Sequence, residues 1–228
     1  MKKIIYIILI CLPFISMAQS TDCGTEFSVD YSHKLAKGFS FDVEAEARFK
    51  EYSTHYSKGA ISAGLQYSLF REHLKSIGMK IKIGANYSLI HRYNNLDVYE
   101  FQHRASANIT ISEQIGMFEI SLRERYQCDW RDIERGDYSY NPRMHLRTRL
   151  KLLYQPIQIP WEFFVSEEIY YRANHPNNNE FEELRTMLGF TRIINSTNAI
   201  TLYLKASNEI NKKRPDNFYA LGISYSFR

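Results

Sequence analysis

Residues 143–152 have the sequence Arg-Met-His-Leu-Arg-Thr-Arg-Leu-Lys-Leu, in which basic side chains alternate with apolar ones, except for Thr148. A period of two is the pattern of a β-strand, because successive side chains point to opposite faces. Pointing one Arg or Lys at lipid costs about 2 to 4 kcal/mol near the bilayer midplane, so four would cost on the order of 10 kcal/mol. In a membrane, the apolar face must therefore contact lipid. The basic side chains would then line the interior of a barrel; they are Arg143, His145, Arg147, Arg149 and Lys151.

The same alternation recurs along the rest of the chain, with no linker or low-complexity stretch to divide it. Ten such segments lie between Phe39 and Phe227. Each is longer than the roughly five or six residues of a soluble strand, and close to the roughly 9 to 11 of a tilted membrane strand. The pattern predicts an all-β protein, a single antiparallel transmembrane β-barrel of about 10 to 12 strands.

The segment from Thr25 to Leu35 also alternates, and it complicates the strand count. Bacterial single-chain barrels have an even number of strands, and an eleventh strand would break this rule. We therefore expect either that Thr25–Leu35 pairs elsewhere, in the lumen or partly in the wall, or that a further strand raises the total to twelve.

The connections between the segments alternate between short turns and longer, more polar loops. Membrane barrels keep short turns in the periplasm and longer loops outside the cell. This pattern predicts a periplasmic position for the short turns, such as Leu35 to Gly38, and for the C-terminus. The longer loops, such as Trp130 to Tyr138, are expected outside.

Residues 1–18 have the pattern of a secretory signal peptide, with basic residues at Lys2 and Lys3 and small residues before the expected cleavage site. The apolar run from Ile4 to Phe14 is too short to span a bilayer as a helix. We expect a mature barrel domain of residues 19–228 in the outer membrane, with lipid and the barrel-assembly machinery as partners. Cys23 and Cys128 would remain in it, either joined or as free thiols.

Charge and motifs exclude several classes of function. A formal net charge of +4 does not favour nucleic-acid binding. The sequence has no phosphate-binding glycine loop, and His145 has no second ligand at a metal-binding spacing, so no metal or cofactor is predicted.

Acidic residues on other strands complement the basic face, so we expect a mixed-charge lumen. Ion pairs would fill a narrow barrel, because a buried unpaired charge is costly, and this favours a plugged or very narrow pore. The predicted lumen charges are Glu44, Glu46, Arg48, Arg104, Arg123, Arg125, Arg143, Arg147, Arg149 and Arg185.

Two strand sequences, Glu-Ala-Glu-Ala-Arg-Phe at 44–49 and Arg-Met-His-Leu-Arg-Thr-Arg-Leu at 143–150, resemble a family of Bacteroidetes-type proteins known as domain of unknown function 2490. Trp-Glu-Phe at 161–163 is also similar. The resemblance implies an exported outer-membrane barrel and supplies no activity.

These observations favour an integral outer-membrane barrel with a structural, binding or narrow-channel role and no covalent chemistry. An outer-membrane lipid hydrolase is the alternative in another class, and His55 and Ser57 are the pair that would test it, since a His can activate a neighbouring Ser. A periplasmic lipocalin-like barrel is a third possibility, with apolar residues inside and charges outside. The sequence does not identify a solute or ligand.

Overall fold

The computed structural model describes residues 20–69, 78–93, 98–131, 141–174, 180–212 and 215–227. The predicted signal peptide lies outside these residues, and so does most of the loop that follows Trp130. Within the described part of the chain, no helix is long and apolar enough to cross a membrane.

Every regular element in the described residues is a β-strand, and eleven strands form one closed barrel. This confirms the predicted all-β barrel. The strands are β1 (Ser20–Ala36), β2 (Phe39–Lys50), β3 (His55–Leu69), β4 (Met79–Tyr93), β5 (Tyr99–Ile115), β6 (Phe118–Arg131), β7 (Arg143–Tyr154), β8 (Trp161–Arg172), β9 (Glu180–Ile193), β10 (Asn198–Glu209) and β11 (Asp216–Phe227).

The strand β1 corrects the prediction of an even strand number. It pairs with β2 in antiparallel orientation and with β11 in parallel orientation, so the segment Thr25–Leu35 is a full wall strand. Neither alternative, pairing elsewhere or a twelfth strand, occurs in the described barrel. The physical reason is geometric: an up-and-down barrel with an odd strand number closes only if its first and last strands run parallel. All other neighbouring strands are antiparallel.

The connections alternate between the two ends of the barrel, which follows from the antiparallel order. Most of the short turns lie at one end and most of the longer connections at the other. The tight turns use positive φ at Gly38 (85°) and Gly116 (61°), a backbone conformation that glycine adopts without strain. Because the strand number is odd, β1 begins at the end with the longer loops. The last strand, β11, ends at the end with the short turns, where the C-terminus was predicted.

The two faces of each strand differ as the alternation predicts. On β7, Leu146 and Leu150 are 41% and 54% exposed, whereas Arg147 between them is 7% exposed. Aromatic pairs lie near both ends of the barrel, with ring centroids 4.9 Å apart for Tyr93 and Tyr99 and 5.0 Å apart for Phe118 and Tyr154. The barrel is therefore apolar outside and polar inside.

Candidate functional site

The polar interior of the barrel is the candidate functional site. Ion pairs skip a strand there: Arg123 on β6 reaches Glu168 on β8, which is possible only across the concave side of the wall. By register and alternation, all the predicted lumen charges lie on this side; they are Glu44, Glu46, Arg48, Arg104, Arg123, Arg125, Arg143, Arg147, Arg149 and Arg185.

Glu168 is the centre of the interior network. Its two carboxylate oxygens accept hydrogen bonds from Arg123 Nη2 at 2.6 Å and Arg147 Nη2 at 2.8 Å. The other Nη of Arg147 donates to Gln127 Oε1 at 2.7 Å. Only 5% of Glu168 and 2% of Gln127 is exposed, so side chains fill the lumen at this level.

Tyr170 packs against two guanidinium groups next to this cluster. The guanidinium carbon of Arg147 lies 4.3 Å from the ring centroid, and that of Arg185 lies 4.8 Å from it. Cation–π contacts of this kind are strongest where water is excluded. Arg185 also forms an ion pair with Glu183 at 2.8 Å, so the network continues onto β9.

A second acidic centre, Glu182, lies nearer the end with the longer loops. Its carboxylate contacts Arg143 at 2.6 Å, His145 at 3.1 Å and Arg172 at 3.3 Å. The sequence did not identify Glu182, because strict alternation places only its neighbour Glu183 inside. A register shift in the β8–β9 pairing at Tyr170/Tyr171 turns both carboxylates inward.

A third acidic centre, Glu26, lies on β1, the strand that closes the barrel, and links it to β2 and β10. Its carboxylate pairs with Arg48 on β2 at 2.5 Å and with Lys205 on β10, and it accepts a hydrogen bond from the Tyr203 hydroxyl at 3.1 Å. Glu26 was also missed, although its place on the inward face of the alternating segment could have identified it.

Arg125 and Arg149 differ from the other interior arginines. Neither makes a hydrogen bond or an ion pair with another described side chain. The Nε of each is buried without a partner, as it also is in Arg123 and Arg147. Glu46 forms an ion pair with Lys58 at 3.1 Å, and Arg147 forms one with Glu168.

His55 and Ser57, the pair named to test hydrolase chemistry, are not joined by a hydrogen bond among the described residues. His55 Nδ1 instead lies 2.9 Å from the Glu51 carboxylate, and both side chains are exposed. No group of three or more His, Cys, Asp or Glu side chains in the described ranges could hold a metal ion. Cys23 and Cys128 are free thiols.

Glu124 and Glu167 are carboxylates on the apolar outer face that the sequence-based prediction did not identify. Glu124 accepts a hydrogen bond from Thr148 at 2.9 Å, and Glu167 accepts one from Thr186 at 3.0 Å. The signal was available: consecutive charged residues in an alternating strand, as at residues 123–125 and 167–168, must place one charge outside.

Comparison with known proteins places the chain in a family. Residues 26–218 match a family model described as "Protein of unknown function (DUF2490)". The chain belongs to this DUF2490 family. No curated protein matches this DUF2490 chain. Among solved structures, an anion-selective porin from Comamonas acidovorans is similar, with 8% identity and a TM-score of 0.35 over 86% of this chain and 83% of that one. A TM-score this low carries no argument about this chain.

Proposed function

We propose that this chain is an integral outer-membrane β-barrel whose lumen is largely closed by paired charges. Its role would be structural, binding or that of a narrow channel, without covalent chemistry. The observation that carries the proposal is the arrangement of the two faces of the wall. Leu150 is 54% exposed on the outside, whereas Arg147 is 7% exposed on the inside.

Burial energetics favour lipid around the outer face. Exposed large apolar side chains occur on the outer face of each of the eleven strands. Soluble monomers rarely expose a contiguous apolar patch larger than a few hundred Å². Covering the outer face with lipid is favourable, because each Å² of apolar surface removed from water stabilises the barrel by about 25 cal/mol. A periplasmic lipocalin-like barrel would require the reverse arrangement, with apolar residues inside.

The filled interior supports a closed or narrow lumen over an open pore. Barrels of about 8 strands are filled by side chains, whereas barrels of about 16 to 18 leave an aqueous channel. An eleven-strand barrel lies between these sizes. Its central residues Gln127, Arg147 and Glu168 are almost completely buried, which leaves little room for solutes at that level.

The outer membrane is proposed over other membranes on sequence grounds. The signal-peptide pattern at residues 1–18 directs export. The resemblance to Bacteroidetes-type proteins would make the host a bacterium with two membranes.

Fractionation of the native host followed by planar-bilayer recording tests the proposal. We expect the chain in the outer-membrane fraction after a carbonate wash, and no large stable conductance from the purified barrel. Wide, ohmic conductance steps would contradict the closed lumen, and release into the soluble periplasm would contradict the membrane assignment. Phospholipid hydrolysis that is lost in Ser57→Ala would instead support the hydrolase.

A further inference from the structure

Four arginines face one another on two paired strands inside the barrel. In the β6–β7 register, Arg123 lies opposite Arg149, and Arg125 lies opposite Arg147. All four side chains point into the lumen, and their charges are close enough to interact with one another. Like charges directly opposite on neighbouring strands repel, so something must compensate this cluster.

Within its described part, the chain itself supplies an ion-pair partner to only two of these four arginines. Glu168 is the one carboxylate in contact with it among the described residues, and both of its oxygens are already used by Arg123 and Arg147. Arg125 and Arg149 have no ion pair or hydrogen bond in the described part of the chain. Glu44 is close enough to Arg125 to attract it but forms no ion pair with it.

The guanidinium groups also have unused donors. The Nε–H of Arg123, Arg125, Arg147 and Arg149 is buried and without a hydrogen-bond partner in the described residues. Arg125 and Arg149 retain partial solvent exposure, so an ion that enters the lumen can reach them. Buried charges and donors of this kind are costly unless a counter-ion or ligand satisfies them.

We propose that Arg125 and Arg149, supported by Arg123 and Arg147, bind a small oxyanion of the phosphate or sulfate class inside the lumen. The forked guanidinium donors match the oxygens of a tetrahedral oxyanion, which can accept two hydrogen bonds from each arginine. The inference rests on the proposed barrel with a charged lumen. It does not require conductance, because an anion held there would act as part of the plug.

Equilibrium dialysis of the full-length, detergent-purified chain against radiolabelled inorganic phosphate tests the site at constant ionic strength. We expect saturable binding, with sulfate as a competitor. The double variant Arg125→Gln/Arg149→Gln should weaken binding by about tenfold to a hundredfold, since each charged hydrogen bond contributes roughly a factor of ten. Lys82→Gln is the matched control. It removes one lumen-facing cation from β4, away from the cluster, and should leave phosphate affinity within about twofold.

Each outcome decides the proposal. Absence of saturable phosphate binding by the wild-type chain overturns it, and so does equal affinity in the double variant, because the anion would then lie elsewhere. Should the double variant not fold, the single variants Arg125→Lys and Arg149→Lys keep the charge and lose the fork. Unchanged phosphate affinity in both lysine variants would also overturn the proposed site. Membrane fractionation tests the barrel assignment independently of phosphate binding. A chain that stays in the outer membrane but binds no phosphate would therefore overturn only the anion site.

Discussion

Glu168 forms ion pairs with two buried arginines at once, Arg123 and Arg147, which makes it the interior residue whose loss should cost most. In Glu168→Gln, Arg123 and Arg147 would remain buried without a counter-charge. Breaking a buried ion pair from one side costs about 3 to 5 kcal/mol. We expect the free energy of unfolding, measured by urea titration in lipid vesicles, to fall by about this amount.

A matched control for this prediction is Glu119→Gln. Glu119 pairs with Lys80 at 3.1 Å, but the Lys80 side chain is 58% exposed. Ion pairs of this kind contribute about 0 to 1 kcal/mol. Equal losses in the Glu168 and Glu119 variants would show that the interior is hydrated and that Glu168 is not a centre of stability.

Glu124 presents the opposite situation, because its carboxylate lies on the outer face near the middle of β6. A carboxylate facing lipid at that depth is unfavourable, by less than the roughly 2 to 4 kcal/mol of a cation. We expect Glu124→Leu to raise the free energy of unfolding in lipid vesicles by up to about 2 kcal/mol. Glu113→Leu, on the outer face near the Gly116 turn, should change it by less than about 1 kcal/mol. A destabilised Glu124→Leu barrel would place this face against something other than lipid.

Most of the strands could be predicted from the period-two alternation of the sequence. It predicted the ten strands from β2 to β11 and which side chains of β7 line the lumen, because burying charge in lipid leaves one acceptable orientation. It did not predict the parallel pairing of β1 with β11, since pairing depends on which ends meet when the whole barrel closes. Glu182 was missed for a similar reason: a local register shift between β8 and β9 has no marker in either strand alone.

The closing seam between β10, β11 and β1 depends on a close approach at Gly222. The Tyr203 ring packs over this glycine, and a Cβ added there would overlap the ring. In Gly222→Ala the ring must move, and the hydrogen bond from Tyr203 to Glu26 should be lost. We expect a loss of about 1 to 3 kcal/mol in unfolding free energy, the usual cost of overpacking.

Gly84→Ala is the control for the seam. There the tightest contact of the new Cβ would be the amide end of the Asn108 side chain, 3.1 Å away, and that end can move; Gln66 Cγ, at 3.4 Å, would be in ordinary contact. The two variants are heated to a series of temperatures and run on a gel. The temperature at which migration changes reports opening of the barrel. If Gly84→Ala opens at the same reduced temperature as Gly222→Ala, the seam is no more sensitive than the rest of the wall.

For the whole molecule, the positions of turns and loops predict its orientation in the membrane. Tyr52, in the β2–β3 connection, and Ile157, in the β7–β8 connection, are 83% and 84% exposed at opposite ends of the barrel. In a Cys23→Ser/Cys128→Ser background, we expect Tyr52→Cys to react with a membrane-impermeant maleimide on intact cells. Ile157→Cys should react only after permeabilisation, because it lies at the same end as the tight Gly38 and Gly116 turns, and such turns face the periplasm. The reverse labelling pattern would show that the barrel has the opposite orientation in the membrane.

In the proposed membrane barrel, the apolar face of the wall contacts lipid and the charged face does not. Leu122 and Ser121 are neighbours on β6 that lie on opposite faces, with Leu122 42% exposed on the outside. One fluorophore is attached to Leu122→Cys or Ser121→Cys, in the same Cys23→Ser/Cys128→Ser background, and brominated lipids are added. We predict strong quenching at position 122 and little at position 121. Equal quenching at the two positions, or quenching only at 121, would contradict the membrane barrel.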